Sequence, residues 1–224
     1  MGDTRNRIID EALRLFSEKG YGEVSVSMIA DAVGIKPPSL YKHFGSKKEI
    51  FDSILKMMTE RYDNMISKFG IDGNNPDKDS SFFVNIDEDA IASMGKNLFL
   101  FFLEDPYNSM FRRMLSIGRY SDPELDKIYH MQYIDLPLAY QTEIFRYMLE
   151  SRGLCGDPKS MALEFYGPML ILIQSCDTDP GRKESALKEI DNHIRHFGKI
   201  HHIDRKRGDD ADDIRLMTIS YNNM

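Results

Sequence analysis

The sequence predicts an all-α protein with three parts. A three-helix helix-turn-helix domain spans residues 1–50, a helical bundle spans 51–203, and an acidic, polar tail spans 204–224. Two observations carry this reading. Apolar residues recur at intervals of three and four along nearly the whole chain, with no stretch of strand-like alternation to compete. The periodic stretches are separated by glycine, proline and Asp/Ser/Asn positions that end and start helices.

In the first helix, from Thr4 to Lys19, Ile8, Ile9, Ala12, Leu13 and Phe16 share one face while Arg5, Glu11, Arg14 and Glu18 face outward. Glycines 20 and 22 end it. Ser25 is placed to cap a second helix, Val26 to Val33, whose Ile29, Ala30 and Val33 point inward, and Gly34 closes that helix. The pair Pro37 and Pro38 is tolerated only in the first turn of a helix, so a short third helix runs from about Pro38 to Phe44. Ser46 and Glu49 form a capping box for a fourth helix reaching about Phe69. Residues 70–81 read as a loop. Helical segments follow at about 82–104, 106–120, 122–152, 158–176 and 181–203.

Charge is unevenly placed. The 224 residues carry 29 basic and 36 acidic side chains, a net charge of −7. Residues 1–50 hold eight basic and seven acidic side chains, which leaves 21 against 29 in the rest. Within 32–48, Lys36, Lys42, Lys47 and Lys48 stand with His43 and without an acid. Such a stripe favours phosphate, because each neutralised phosphate releases counterions; a solvated face is the commoner origin of a charge run. Two short helices joined by a glycine turn, the second opening on polar and basic residues, describe a helix-turn-helix. Its outer face would enter a major groove with Ser39, Tyr41 and Lys42 near base edges or phosphates. Tyr41 and His43 can donate to phosphate oxygens, and Lys47 adds charge beside a helix N-terminus.

Three segments in order, Ile8 to Tyr21, Ile29 to Ile35 and Ser39 to Phe51, the last with its Leu-Tyr-x-His-Phe block followed by Ser-Lys-Lys-Glu, closely resemble the DNA-binding domain of TetR-family transcriptional regulators. By that resemblance Ser25, Ser27, Tyr41, His43 and Lys47 fall on positions that contact DNA, and Pro37, Pro38, Ser39 and Lys42 on the surface facing the groove. Pro37 departs from family members that carry a base-contacting side chain there, so direct readout is expected from Lys36, Ser39, Lys42 and Ser27.

In the large domain Leu187, Ile190, Ile194 and Phe197 step by 3, 4 and 3, a narrow seam that packs against another helix. The preceding helix is apolar nearly all round at residues 169–173. In the resembling family the last two major helices form a four-helix dimer interface, which places Leu172 with that seam as interface residues. A dimer would set two reading helices about 34–36 Å apart on a palindromic operator. The middle helices are rich in aromatic and sulfur side chains. Core packing is the usual origin of such stripes, and a pocket for a small apolar or aromatic effector is the sharper reading, with Phe102, Phe111, Tyr133 and Phe165 as its lining. Gly167 and Pro168 interrupt a helix, as a tolerated kink or a hinge.

Other chemistries lack their signatures. There is no phosphate loop, nucleophile elbow or Glu-x-x-His pair, so an enzyme is disfavoured. Cys155 and Cys176 fit neither a disulfide scaffold nor a zinc site, and His193, His196, His201 and His202 lack companion ligands, so no metal or cofactor is expected. The longest apolar run, Leu98 to Leu103, is far too short for a bilayer, and the N-terminus lacks a signal peptide, which points to a cytoplasmic protein. Two functions remain: a homodimeric DNA-binding regulator, most simply a repressor released by a ligand, and a helical ligand-binding or enzymatic module that does not bind DNA specifically.

Overall fold

The computed structural model describes residues 2–201, which form eleven α-helices and no strand. The tail over 204–224 and His202 lie outside the described residues. The helices are α1 (Gly2–Lys19), α2 (Val26–Val33), α3 (Pro37–Leu40), α4 (Lys47–Ile66), α5 (Pro76–Asn85), α6 (Glu88–Glu104), α7 (Pro106–Gly118), α8 (Pro123–His130), α9 (Leu136–Arg152), α10 (Pro158–Thr178) and α11 (Lys183–Ile200). Among the described residues no helix is long and apolar enough to cross a membrane.

The N-terminal helices start and stop where their local chemistry dictates. Ser25 caps α2 by accepting from the Met28 amide, and Gly34 ends it at φ 77°, a left-handed conformation that glycine adopts without a Cβ penalty. Helix α3 is shorter than expected. It starts on Pro37 and ends at Leu40, and the chain then tightens into three-residue turns, His43 N–H to Leu40 O at 2.8 Å and Lys42 N–H to Ser39 O at 3.3 Å. The Ser46 side chain accepts from the Glu49 amide at 3.1 Å, while the Glu49 carboxylate reaches back one residue further than a capping box requires, to Gly45 N–H at 2.7 Å.

Three expectations for the large domain need correction. Residues 70–81 are not all loop: Asn75 accepts from the Lys78 amide and Pro76 opens α5, so the Asn-Pro pair that reads as a turn is a helix cap followed by a first-turn proline. The helix expected over 82–104 is broken at Ile86, which is extended, and restarts because Asp87 accepts from the Ala90 amide at 2.7 Å. The run over 122–152 carries a widened π turn, Met131–Asp135, just before Pro137. A proline has no N–H for the carbonyl one turn back and crowds it, and the wider turn relieves both problems. Pro168 leaves α10 helical from Pro158 to Thr178.

The core does not divide at residue 50. Ile8, Leu13, Phe16, Ile29, Leu40, Phe44, Ile50 and Phe51 belong to one buried cluster with Phe111, Met114, Leu115, Leu125 and Tyr129 of α7 and α8. Helix α1 packs along α7, and the Tyr107 hydroxyl donates to the Asp10 carboxylate at 3.1 Å. Further into the large domain, α6 lies against α11. A Cβ on Gly95 would come within 2.4 Å of Ile194 Cδ1, so this glycine lets the two helices approach closely.

Candidate nucleic-acid interface

Leu40 and Phe44, both essentially inaccessible to solvent, anchor the reading segment to the core. Burying two large apolar groups of an eight-residue segment orients whatever lies between and around them. The side chains facing away are Lys36, Pro38, Tyr41 and Lys42, with Ser25 and Ser27 exposed beside them on α2 and its cap. Pro37, Ser39 and His43 are half-buried. Tyr41 is 54% exposed, which for a tyrosine outside any interface leaves ring and hydroxyl free to meet a ligand. Ten positions expected at a DNA surface thus surround one protruding turn, with one inward exception.

That exception is Lys47. Its ammonium donates to the Tyr21 carbonyl at 2.8 Å and the Val24 carbonyl at 2.9 Å and sits 4.3 Å from the centroid of the Tyr21 ring. Burial lowers its pKa. The family resemblance puts Lys47 among the DNA-contacting positions; in the structure its ammonium is tied to the turn between α1 and α2. Lys48 is also engaged, 3.0 Å from Asp52 and 2.5 Å from Glu124 of α8, and the hydrogen bond to Glu124 raises its pKa. The four-lysine stripe therefore presents Lys36 and Lys42 as its outward cations. Two α1 side chains that the sequence did not single out are part of the arrangement. Arg7 donates to the Val33 carbonyl at 2.6 Å, and Arg5, expected to point outward, folds onto the His43 carbonyl at 2.7 Å. Apolar periodicity cannot reveal a guanidinium that reaches a carbonyl 38 residues away.

The expected interface and pocket residues also need revision. Ile190, Ile194 and Phe197 are buried, at 0%, 2% and 4% exposure, in the chain's own core, and Leu172 and Leu187 are half-buried at its margin. The seam is real, but it faces α6 and α10 of the same chain. The large apolar side chains left exposed on α10 and α11 are Leu163, Ile171 and Ile200. Phe111 and Tyr133 are buried in the N-terminal core cluster and the half-buried Phe102 packs against that same cluster, while Phe165 packs only against the clusters deeper in the domain, so three of the four gather in one region and Phe165 stands apart. A surface groove of about 650 Å³ also lies between α9 and the start of α10, lined by Leu138, Ala139, Thr142, Asp157 and Leu163 among others.

The interior beside α7 is more polar than the sequence suggests. Arg112, 2% exposed, makes paired hydrogen bonds of 2.5 Å to Asp177 at the end of α10 and a third, of 3.0 Å, to the Phe102 carbonyl. Burial opposes its charge, but the bonds and charge of Asp177 prevail and its pKa is raised. Around it the Tyr166 hydroxyl donates to the Tyr133 carbonyl at 2.9 Å and Gln174 donates to the Tyr129 hydroxyl at 3.0 Å. Burial raises the phenol pKa of Tyr62 to about 12 and that of Tyr133 further still, keeping both neutral donors. Among the described residues at least three helices, α4, α7 and α10, thus bring tyrosine or arginine side chains toward one region.

A short exposed turn on a two-helix support, joined through a shared core to a larger helical domain, has the architecture of a helix-turn-helix. Comparisons with known proteins narrow the class. Residues 8–54 match the family model for bacterial regulatory proteins of the tetR family. The chain is 45% identical over 62 residues to IcaR of Staphylococcus aureus (strain Newman), the negative transcriptional regulator of the biofilm operon icaADBC; the match covers 28% of this chain and 33% of that one. The match thus spans about a third of the length of that curated relative. SmeT, the repressor of the Stenotrophomonas maltophilia multidrug efflux pump SmeDEF, superposes with a TM-score of 0.60 at 17% identity, covering 91% of this chain and 94% of SmeT. MexZ, a repressor of Pseudomonas aeruginosa, gives 0.63 at 17%, covering 88% and 94%. Residues 8–54 are thus similar to the DNA-binding segment of the tetR family, and the described chain shares its overall fold with SmeT and MexZ.

Proposed function

We propose that the protein is a homodimeric, sequence-specific transcriptional regulator, a repressor whose operator binding is relieved by a small apolar or aromatic ligand. The observation that carries the DNA reading is the protruding turn, where Lys36, Tyr41 and Lys42 face solvent over a fully buried Leu40 and Phe44. Rigid support beneath and free donors above are what a groove-reading element requires. Repression is supported by the naming of IcaR as a negative regulator and of SmeT and MexZ as repressors. With Ile190, Ile194 and Phe197 spent on the chain's own core, the dimer surface centres on the exposed Leu163, Ile171 and Ile200 of α10 and α11.

For the effector, the region bounded by Tyr62, Tyr133, Tyr166 and Arg112 offers neutral phenols within an apolar surround, which suits an aromatic or phenolic molecule. The solved complex of SmeT with triclosan lends support to that class. Linkage then ties the two sites: a ligand that fits better when the reading heads are wrongly spaced weakens DNA binding, and DNA weakens ligand binding by the same factor.

Gel retardation with the gene's own upstream region tests the reading. Specific retention at physiological salt supports it; only weak, sequence-independent retention would instead favour a ligand-binding module that does not read DNA.

A further inference from the structure

We propose that Arg5 is a positioning residue for DNA recognition, one that fixes the reading turn through its backbone and makes no contact with DNA. This role rests on the reading that the protruding turn meets DNA. The guanidinium joins three elements. From the first turn of α1, Nη1 donates to the His43 carbonyl at 2.7 Å, Nη2 donates to Ser53 Oγ of α4 at 3.2 Å, and the group lies 4.0 Å from the centroid of the Phe44 ring. Glu49, the residue that closes the Gly45 amide, is 4.0 Å away on the same side.

His43 is the last residue of the tightened turn that follows α3, and its carbonyl precedes the first α4 residue, Lys47, by four positions. A helix-end carbonyl of this kind lacks an intrahelical partner, and a charged donor satisfies it more strongly than water does. The stacked Phe44 ring sets the plane of the guanidinium, so the donor direction is fixed as well. The flanking turns are closed in the same way, by Arg7 on the Val33 carbonyl and by Lys47 on the carbonyls of Tyr21 and Val24. Arg5 differs in holding the segment that carries Tyr41 and Lys42. The planar fork meets His43 and Ser53 through two separate nitrogens while its face lies on Phe44, a geometry that the single ammonium of a shorter-reaching lysine reproduces only in part.

The test compares wild type with Arg5→Gln and Arg5→Lys by retardation of the upstream region and of an unrelated duplex across a salt series, with amide hydrogen exchange over residues 40–45 in the absence of DNA. Arg5→Gln is expected to weaken specific binding about tenfold, the scale of one charge-assisted hydrogen bond. Retention of the unrelated duplex and the salt slope should stay as in wild type, exchange at residues 40–45 should accelerate, and Arg5→Lys should recover part of both effects. If Arg5→Gln fails to fold, the same directions at smaller size in Arg5→Lys carry the result. A salt slope reduced by about one, with both duplexes weakened equally, would make Arg5 a phosphate contact and overturn the proposal. Unaltered exchange and affinity would overturn it too. Failure of the wild type to discriminate between the duplexes would overturn the DNA reading and this role together, while the exchange data would still report whether the clamp exists.

Discussion

The reading head and the large domain are held together by different means. In the head, each turn is closed by a cation on a main-chain carbonyl: Lys47 on Tyr21 and Val24, Arg7 on Val33, Arg5 on His43. In the large domain cations also reach carbonyls, Arg112 on Phe102 and Arg152 on Val84, but the most buried polar anchor is a side-chain pair, Arg112 with Asp177, set among tyrosines. Clamping the backbone fixes the shape of a short, exposed segment that has little apolar surface of its own. Pairing side chains across helices instead ties two helices to each other, on top of the apolar clusters that already pack them.

The sharpest way to break this contrast is Arg112→Met. Removal of one partner of a buried pair costs about 3–5 kcal/mol, and because Asp177 is partly solvated, with its side chain 32% exposed, the lower end is expected. Urea unfolding measures it, and since the core crosses residue 50, a single transition should shift as a whole. Next in size is the double variant Tyr41→Ala with Lys42→Ala, expected to lower operator affinity about a hundredfold, two contacts at the scale of specific DNA hydrogen bonds. Dimerisation by sedimentation should be untouched; an unaltered footprint would remove the turn from the interface.

Burial raises the phenol pKa of Tyr21 in the head as well as those of the large domain's tyrosines, and the pH signature is set by the latter, which are shifted furthest. Burial raises the phenol pKa of Tyr62 from 10.0 to about 12. A group whose folded pKa is raised contributes stability that is fully present below its unfolded pKa and is lost as pH rises through the folded value. Stability should therefore fall above about pH 10, with tyrosinate absorbance lagging that of free tyrosine until the protein unfolds. Tyr62→Phe should shorten that lag. Smaller still, Gly34→Ala should cost about 1 kcal/mol through the left-handed backbone alone, since no atom crowds a Cβ there. Lys48→Gln, which removes an exposed pair with Glu124, should change stability by less than about 1 kcal/mol.

How much was legible in the sequence follows the same contrast. The head announced itself because caps and breakers are local: Ser25, Gly34, Pro37 and Ser46 each act within four residues, and each stands where expected. The clamps were invisible because Arg5 and Lys47 act over 38 and 26 residues on carbonyls, which carry no side-chain signature. In the large domain the pattern Leu187, Ile190, Ile194, Phe197 correctly marked a buried face. Periodicity says that a face is covered, not by what, and Gly95 of α6 brings the cover from within the same chain. Helix α5 was missed because an Asn-Pro pair serves turns and helix starts alike.

The continuity of the core between α1 and α7 bears on how such a protein can be recombined. Residues 1–50 carry the matched segment of the family model almost entirely, which invites their transplantation onto another helical domain. The α1 surface, however, is shaped to Phe111, Met114 and Leu115, and Asp10 is aimed at Tyr107. A graft cut at residue 50 would expose that surface to a foreign α7, so the transferable piece is the reading head together with the helix it leans on.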